Sequence, residues 1–168
     1  MSDVLFVATN GNHLVTTTCT AGNGVLYAIN PTTGATLATF SPADGAIVDY
    51  PVVLGSASPY TIIFSGATAV HAVTFTKATN TFATAWTTPT TINVPSAPIC
   101  YTGLNLIFVG SNDGTIHELN LATGADIKDE VANTGQPGFV GDPSLDITLG
   151  RIYVSTTDQR AYGFAYPF

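Results

Sequence analysis

The side chains best suited to chemistry are three histidines, His13, His71 and His117, two cysteines, Cys19 and Cys100, and a carboxylate pair, Asp142 and Asp146. His71 and His117 stand 46 residues apart, at nearly equivalent places in their surroundings. Imidazole is the commonest metal ligand, but zinc sites add cysteines or further histidines at short spacing, and neither accompanies this pair. Both histidines are therefore expected as half-buried strand residues, in the places held elsewhere by Tyr27 and Tyr162. Asp142 and Asp146 flank Pro143; together they would bind a cation such as calcium, or work as an acid and a base. Asp113 reads as a turn residue, because Asn23, Thr68 and Asp158 hold the same place in other parts of the chain. No Gly-x-Ser-x-Gly elbow and no Gly-x-x-x-x-Gly-Lys loop occurs. No catalytic residue is assigned, no organic cofactor is expected, and the pattern leans away from an enzyme.

Aromatic residues are the better lead for binding, since they supply contact area at low entropic cost. Tyr50, Tyr101 and Tyr162, with His117, are the candidate residues of a recognition face.

Composition narrows the partners. The chain has 168 residues, 45% hydrophobic and 9% charged, against about 25% charged in an average domain. Its polar surface must come from Thr, Ser, Asn and Gly, which suggests an extracytoplasmic bacterial protein. Four bases face eleven acids, for a net charge of −7, so nucleic acid is excluded as a partner. The acids gather after Ser111. No apolar run is long enough to cross a membrane as a helix. The first residues lack the basic and apolar regions of a signal peptide. Cys19 and Cys100 fall on strands of different units, where the approach of about 7 Å that a disulfide needs is not expected.

The elements that must position these residues recur. Val25-Leu26-Tyr27-Ala28-Ile29-Asn30, Val70-His71-Ala72-Val73-Thr74-Phe75, Thr115-Ile116-His117-Glu118-Leu119-Asn120 and Arg160-Ala161-Tyr162-Gly163-Phe164-Ala165 repeat at a spacing of 45 residues. A strand-rich period of this length is the signature of β-propeller blades, four-stranded sheets that bury their faces against neighbours. The expected fold is thus all-β, a single domain of four blades over residues 3–43, 45–90, 91–133 and 138–168. Each unit parses as an inner strand, an apolar strand, an Asn/Asp-Gly turn, a third strand and an outer strand. On this parse the chain begins on an inner strand, Asp3 to Thr9, and ends on a third strand. Cys19 falls on a strand of the first unit, and Asn23-Gly24 is expected to be a two-residue hairpin turn. Four blades are expected to be half of an eight-bladed ring, completed by a second copy in a homodimer or by sequence beyond these residues.

The segments GVLYAINPTTGATLATF (Gly24 to Phe40) and LIFVGSNDGTIHELNLATGADI (Leu106 to Ile127) resemble the repeat of PQQ-like, quinoprotein-type β-propellers. The run Leu14 to Gly34 is more loosely similar to the propellers of pilus-tip proteins. The first resemblance implies the propeller fold, and in its enzymes a quinone held by a stacking Trp, an adjacent Cys-Cys pair and a calcium ion. This chain has no Cys-Cys pair, and its single tryptophan, Trp86, falls on an outer strand, where it is expected to dock one blade on the next. The expected function is a non-enzymatic propeller scaffold that binds through its ring face. A surface-assembly or adhesion component, and a degenerate quinone-dependent dehydrogenase domain, are the alternatives.

Overall fold

The computed structural model describes residues 4–10, 23–132 and 138–168. Among them there are 14 strands and no helix, hence no helix long and apolar enough to cross a membrane. The strands form four antiparallel sheets taken in chain order. The first holds β1 (Leu5–Thr9), β2 (Val25–Ile29) and β3 (Thr36–Phe40). The second holds β4 (Val48–Leu54), β5 (Tyr60–Ser65), β6 (Val70–Thr76) and β7 (Thr81–Thr87). The third is β8 (Ile99–Tyr101), β9 (Leu106–Gly110), β10 (Thr115–Asn120) and β11 (Asp126–Val131). The fourth is β12 (Ser144–Asp146), β13 (Arg151–Ser155) and β14 (Ala161–Ala165).

Strand pairing makes the repeat quantitative. Tyr27 faces Val7, His71 faces Phe64, His117 faces Val109 and Tyr162 faces Val154, so these four positions are equivalent. One residue further on, the pairing with the outer strand slips in each complete hairpin, between Ala28 and Ile29, Ala72 and Val73, and Glu118 and Leu119. A bulge kept in three sheets is a property of the unit, because it re-aims the outer strand's side chains.

The turns follow from side-chain chemistry. Asn30 Oδ1 accepts from Thr32 N and Thr33 N, and Asn120 Oδ1 accepts from Ala122 N and Thr123 N. Each turn closes on a glycine with positive φ, Gly34 at 72° and Gly124 at 70°, a conformation that costs an L-residue a Cβ clash. Gly114, at 88°, ends the β9–β10 turn. Asp113 is a turn residue, as expected: its Oδ1 accepts from Thr115 N at 3.0 Å and from the hydroxyls of Ser111 and Thr115. Burial alone would raise its carboxyl, but these hydrogen bonds and nearby His117 hold it below the usual range.

Two expectations need correction. The stretch ending at Thr9 is not an inner strand. β1 pairs with β2 in the register that β9 makes with β10, so it is the second strand of its unit. Its apolar run Leu5-Phe6-Val7-Ala8 carries the pattern of a strand flanked on both sides. The strand expected to carry Cys19 lies outside the described residues. Nor is Asn23-Gly24 a tight turn: β1 ends at Thr9 and β2 starts at Val25. Gly24 is needed for close approach, since a Cβ there would stand 2.2 Å from Ile47 N and 2.7 Å from Thr9 O.

The core lies between sheets. Phe6, Leu26 and Ala28 pack on Ile62, Phe64 and Phe75. Ile63, Val70 and Ala72 pack on Ile107, Val109 and Leu119. Leu106, Phe108 and Ile116 pack on Ile152 and Val154. Trp86 links the second and third sheets. Its Nε1 donates to Leu121 O at 3.1 Å, and its ring lies where a Cβ on Gly124 would be, 2.3 Å from Cε3. That is the docking role the sequence suggests for it.

Candidate functional site

On the faces that pack between sheets, equivalent positions are bare at the two ends of the row. The face each sheet turns to its predecessor is buried at Ile62 and Phe64, Ile107 and Val109, and Ile152 and Val154, all 3% exposed or less. In the first sheet the same positions are Leu5, 49% exposed, and Val7, 38%. The face turned to the following sheet holds buried Leu106, Phe108 and Ile116 in the third sheet. The fourth sheet has Arg151, Tyr153 and Ala161 there, all exposed, with Tyr153 at 43%. Among the described residues no buried cluster joins the first sheet to the fourth.

A second feature sets the third sheet apart. His117 Nδ1 lies 2.7 Å from Asp129 Oδ1 and 3.1 Å from Asp126 Oδ2. The three ligand atoms lie within 4.8 Å of one another, and among the described residues this is the group of His, Cys, Asp or Glu able to converge on an ion. His117 Nε2 is 3.0 Å from Thr115 Oγ1, whose hydroxyl reaches Asp113 Oδ1. Burial works against a charged His117, yet the hydrogen bond to Asp126 and the charges of Asp129, Asp126 and Asp113 outweigh it and raise the imidazole above its ordinary value. Asp129 is also raised, by burial and then by the like charge of Asp126, against the pull of His117.

His71, the counterpart of His117, meets different company. Its Nδ1 is 3.1 Å from Thr87 Oγ1 and its Nε2 is 3.2 Å from Asp44 Oδ1. Both sit in a groove of about 590 Å³ between the first and second sheets, whose lining includes Phe40, Thr68, Thr84 and Thr88.

The residues singled out from the sequence are not gathered in one place. Tyr50 is exposed on β4, whereas His117 is buried rather than half-buried, as is His71. Tyr101 makes an edge contact with Tyr166 at 5.7 Å, and Tyr162 stacks on Phe164 at 6.4 Å, both beside the junction of the third and fourth sheets. Asp142 Oδ1 accepts from Ala97 N at 2.9 Å, and Asp146 Oδ1 accepts from Leu149 N at 3.0 Å. Neither belongs to the converging group. Cys100 is a free thiol, pushed up to about 12 by burial; Cys19 and His13 lie outside the described residues. Sequence reasoning missed Asp126 and Asp129 as partners of His117. The signal was available: the outer strands read Thr36-x-x-Thr39, Thr84-x-x-Thr87 and Asp126-x-x-Asp129.

No protein-family profile matches the chain, and no curated protein does either. Solved structures do. The computationally designed Ika4 protein aligns at a TM-score of 0.59 and 13% identity, over 84% of this chain and 79% of Ika4. BamB from Moraxella catarrhalis aligns at 0.59 and 21% identity, over 83% of this chain and 39% of BamB. The designed Ika8 protein aligns at 0.59 and 13%, over 84% of this chain and 40% of Ika8. At such identities the likeness is one of fold, and the fold is that of a β-propeller. The match spans about two fifths of BamB and of Ika8.

Proposed function

We propose that the chain is a non-enzymatic β-propeller scaffold, a binding module whose ring is completed by a second copy of itself. The observation that carries this reading is the pair of bare end faces. Leu5 and Val7 occupy positions that are buried in every other sheet, and Tyr153 occupies the position of buried Phe108. The two faces are counterparts: within the chain, a surface of the Tyr153 type always covers one of the Leu5 and Val7 type. Head-to-tail contact between two copies repeats that internal packing twice, by two-fold symmetry, and gives eight sheets in a ring. The shorter share of BamB and Ika8 that the chain spans agrees with a ring larger than four sheets. Recognition then falls to the loops and rim of the completed ring, since a propeller carries its sites on variable connections. The threonine-rich surface, poor in charged residues, supports a place outside the cytoplasm.

The same end faces support a second reading, a component of a surface assembly. Unlike faces that meet head to tail close into a ring when the rotation allows it and otherwise extend as a filament. Light scattering over a range of concentrations separates the cases. A stable mass twice that of the 17.4 kDa chain supports the ring, and a mass that climbs with concentration into long particles supports the filament. A chain that stays monomeric at high concentration overturns both.

A further inference from the structure

When His117 is neutral, the hydrogen bonds around it leave three lone pairs facing one another. Asp113 Oδ1 is an acceptor, taking Thr115 N and the Ser111 hydroxyl, so the Thr115 hydroxyl donates to it as well, and the oxygen of Thr115 then accepts from His117 Nε2–H. A neutral His117 with its proton on Nε2 presents a bare Nδ1 to Asp126 and Asp129, at 3.1 and 2.7 Å. Asp126 Oδ1 is buried and finds no hydrogen-bond donor. The His117 side chain is only 7% exposed, so water does little to screen the convergence. Such an arrangement calls for a cation at its centre.

The blade itself does not require these acids. At the two equivalent outer-strand positions the first sheet has Thr36 and Thr39 and the second has Thr84 and Thr87, and both make the same ladder and the same bulge. Carboxylates appear only where the third sheet has Asp126 and Asp129, beside a buried imidazole.

We infer that His117 Nδ1, Asp126 and Asp129 bind a divalent transition-metal ion of the zinc class. One nitrogen and two carboxylates favour such an ion over magnesium or calcium, which prefer all-oxygen shells. Ligand atoms around a tetrahedral zinc stand roughly 3.4 Å apart, given bond lengths of about 2.1 Å. The observed separations of 2.7 and 3.1 Å would have to open by roughly 0.7 and 0.3 Å to reach that spacing, within reach of the half-exposed Asp129 side chain. Asp129 is half-exposed, which leaves a coordination position open to water. The ion takes the place of the proton that otherwise has to hold these groups together, so its binding displaces a proton from the site.

Titration of the purified chain with zinc chloride at about pH 8, where protons compete little with the metal for an imidazole, tests the assignment. The expected result is saturable binding of one ion per chain, a melting temperature that rises with zinc, and a binding heat that changes with the ionisation heat of the buffer. Magnesium at the same concentration should give no shift. The decisive variant is Asp126→Thr with Asp129→Thr, which installs the residues of the first two sheets and should fold as they do. It should keep its zinc-free melting temperature and lose the zinc response, and His117→Tyr, which copies Tyr27 of the first sheet, should lose it too. Absence of saturable zinc binding by the parent chain overturns the inference. So does a zinc response that survives the double threonine variant.

Discussion

The backbone N–H of Phe168 donates to Glu118 Oε2 at 2.8 Å, across 50 residues of chain. Glu118 occupies the place of Ala28 and Ala72 and is 2% exposed. A carboxylate thus stands in an alanine slot and pins the last residue over the third sheet. The Phe168 ring follows, with centroids 5.5 Å from Phe108 and 6.0 Å from Phe164. Burial raises the Glu118 carboxyl above its ordinary value, more than the Phe168 N–H and Lys128 lower it.

That shift fixes a sign. A carboxyl raised in the folded state binds its proton more tightly there than in the unfolded chain, so its contribution favours folding most at low pH. The contribution is lost as pH rises from the unfolded value, about 4.5, through the folded one. Glu118→Gln keeps an acceptor for Phe168 N but cannot ionise. Its melting temperature relative to the parent should therefore rise with pH, from near parity in acid to a gain at neutral pH. A constant difference across that range, measured by circular dichroism, would show that Glu118 does not titrate differently on folding.

Two glycines in the same kind of turn separate backbone strain from crowding. A Cβ at position 34 would have nothing within 4 Å, whereas one at position 124 would meet the Trp86 ring at 2.3 Å. Gly34→Ala pays only for its positive φ, about 1 kcal/mol, or roughly 3 °C in melting temperature for a chain of this size. Gly124→Ala adds overpacking, for about 3 kcal/mol in all and roughly 9 °C. Equal losses would mean that Trp86 is not seated on the turn.

Cys100 should be slow to react. With its thiol at about 12, the thiolate is scarce at neutral pH, and the thiolate is the nucleophile. Iodoacetamide at about pH 8, followed by mass spectrometry of the peptide that carries Cys100, should show little modification in the folded chain and rapid modification in denaturant. Fast labelling of the native protein would place the thiol in a more open setting.

The end faces make a mutational prediction as well. Leu5→Lys puts a charge on a bare face that is buried only if a second copy covers it. The single variant should fold with an unchanged melting temperature when dilute and lose the doubled mass in light scattering. Val53→Lys, also exposed but on β4, should leave the mass unaltered.

How far the sequence spoke depended on the range of the physics. Turns such as Asn30 to Gly34 were legible because their chemistry is local, and the 45-residue period was legible because each hairpin repeats it. The place of β1 in its unit was not, since Leu5-Phe6-Val7-Ala8 suits either strand of a blade and only its pairing with β2 decides. The company of His117 was hidden for a related reason. Asp126 and Asp129 look like solvated surface acids until the bulge after Glu118 turns them toward the imidazole. Tyr101 and Tyr162 drew attention as aromatics on a surface, but a seam between sheets needs the same residues.

Because the two end faces differ, any row of these chains has a direction, as a sentence does. On the proposed head-to-tail contact, a copy damaged on its Leu5 side would still offer a sound Tyr153 side, so it would join an intact neighbour and then stop the line. A closed pair needs two sound copies, and its abundance falls with the square of the sound fraction. If the copies join as proposed, a minority of blocked chains would poison the assembly out of proportion to its number, and the junction between copies would be the place where it is most easily switched off.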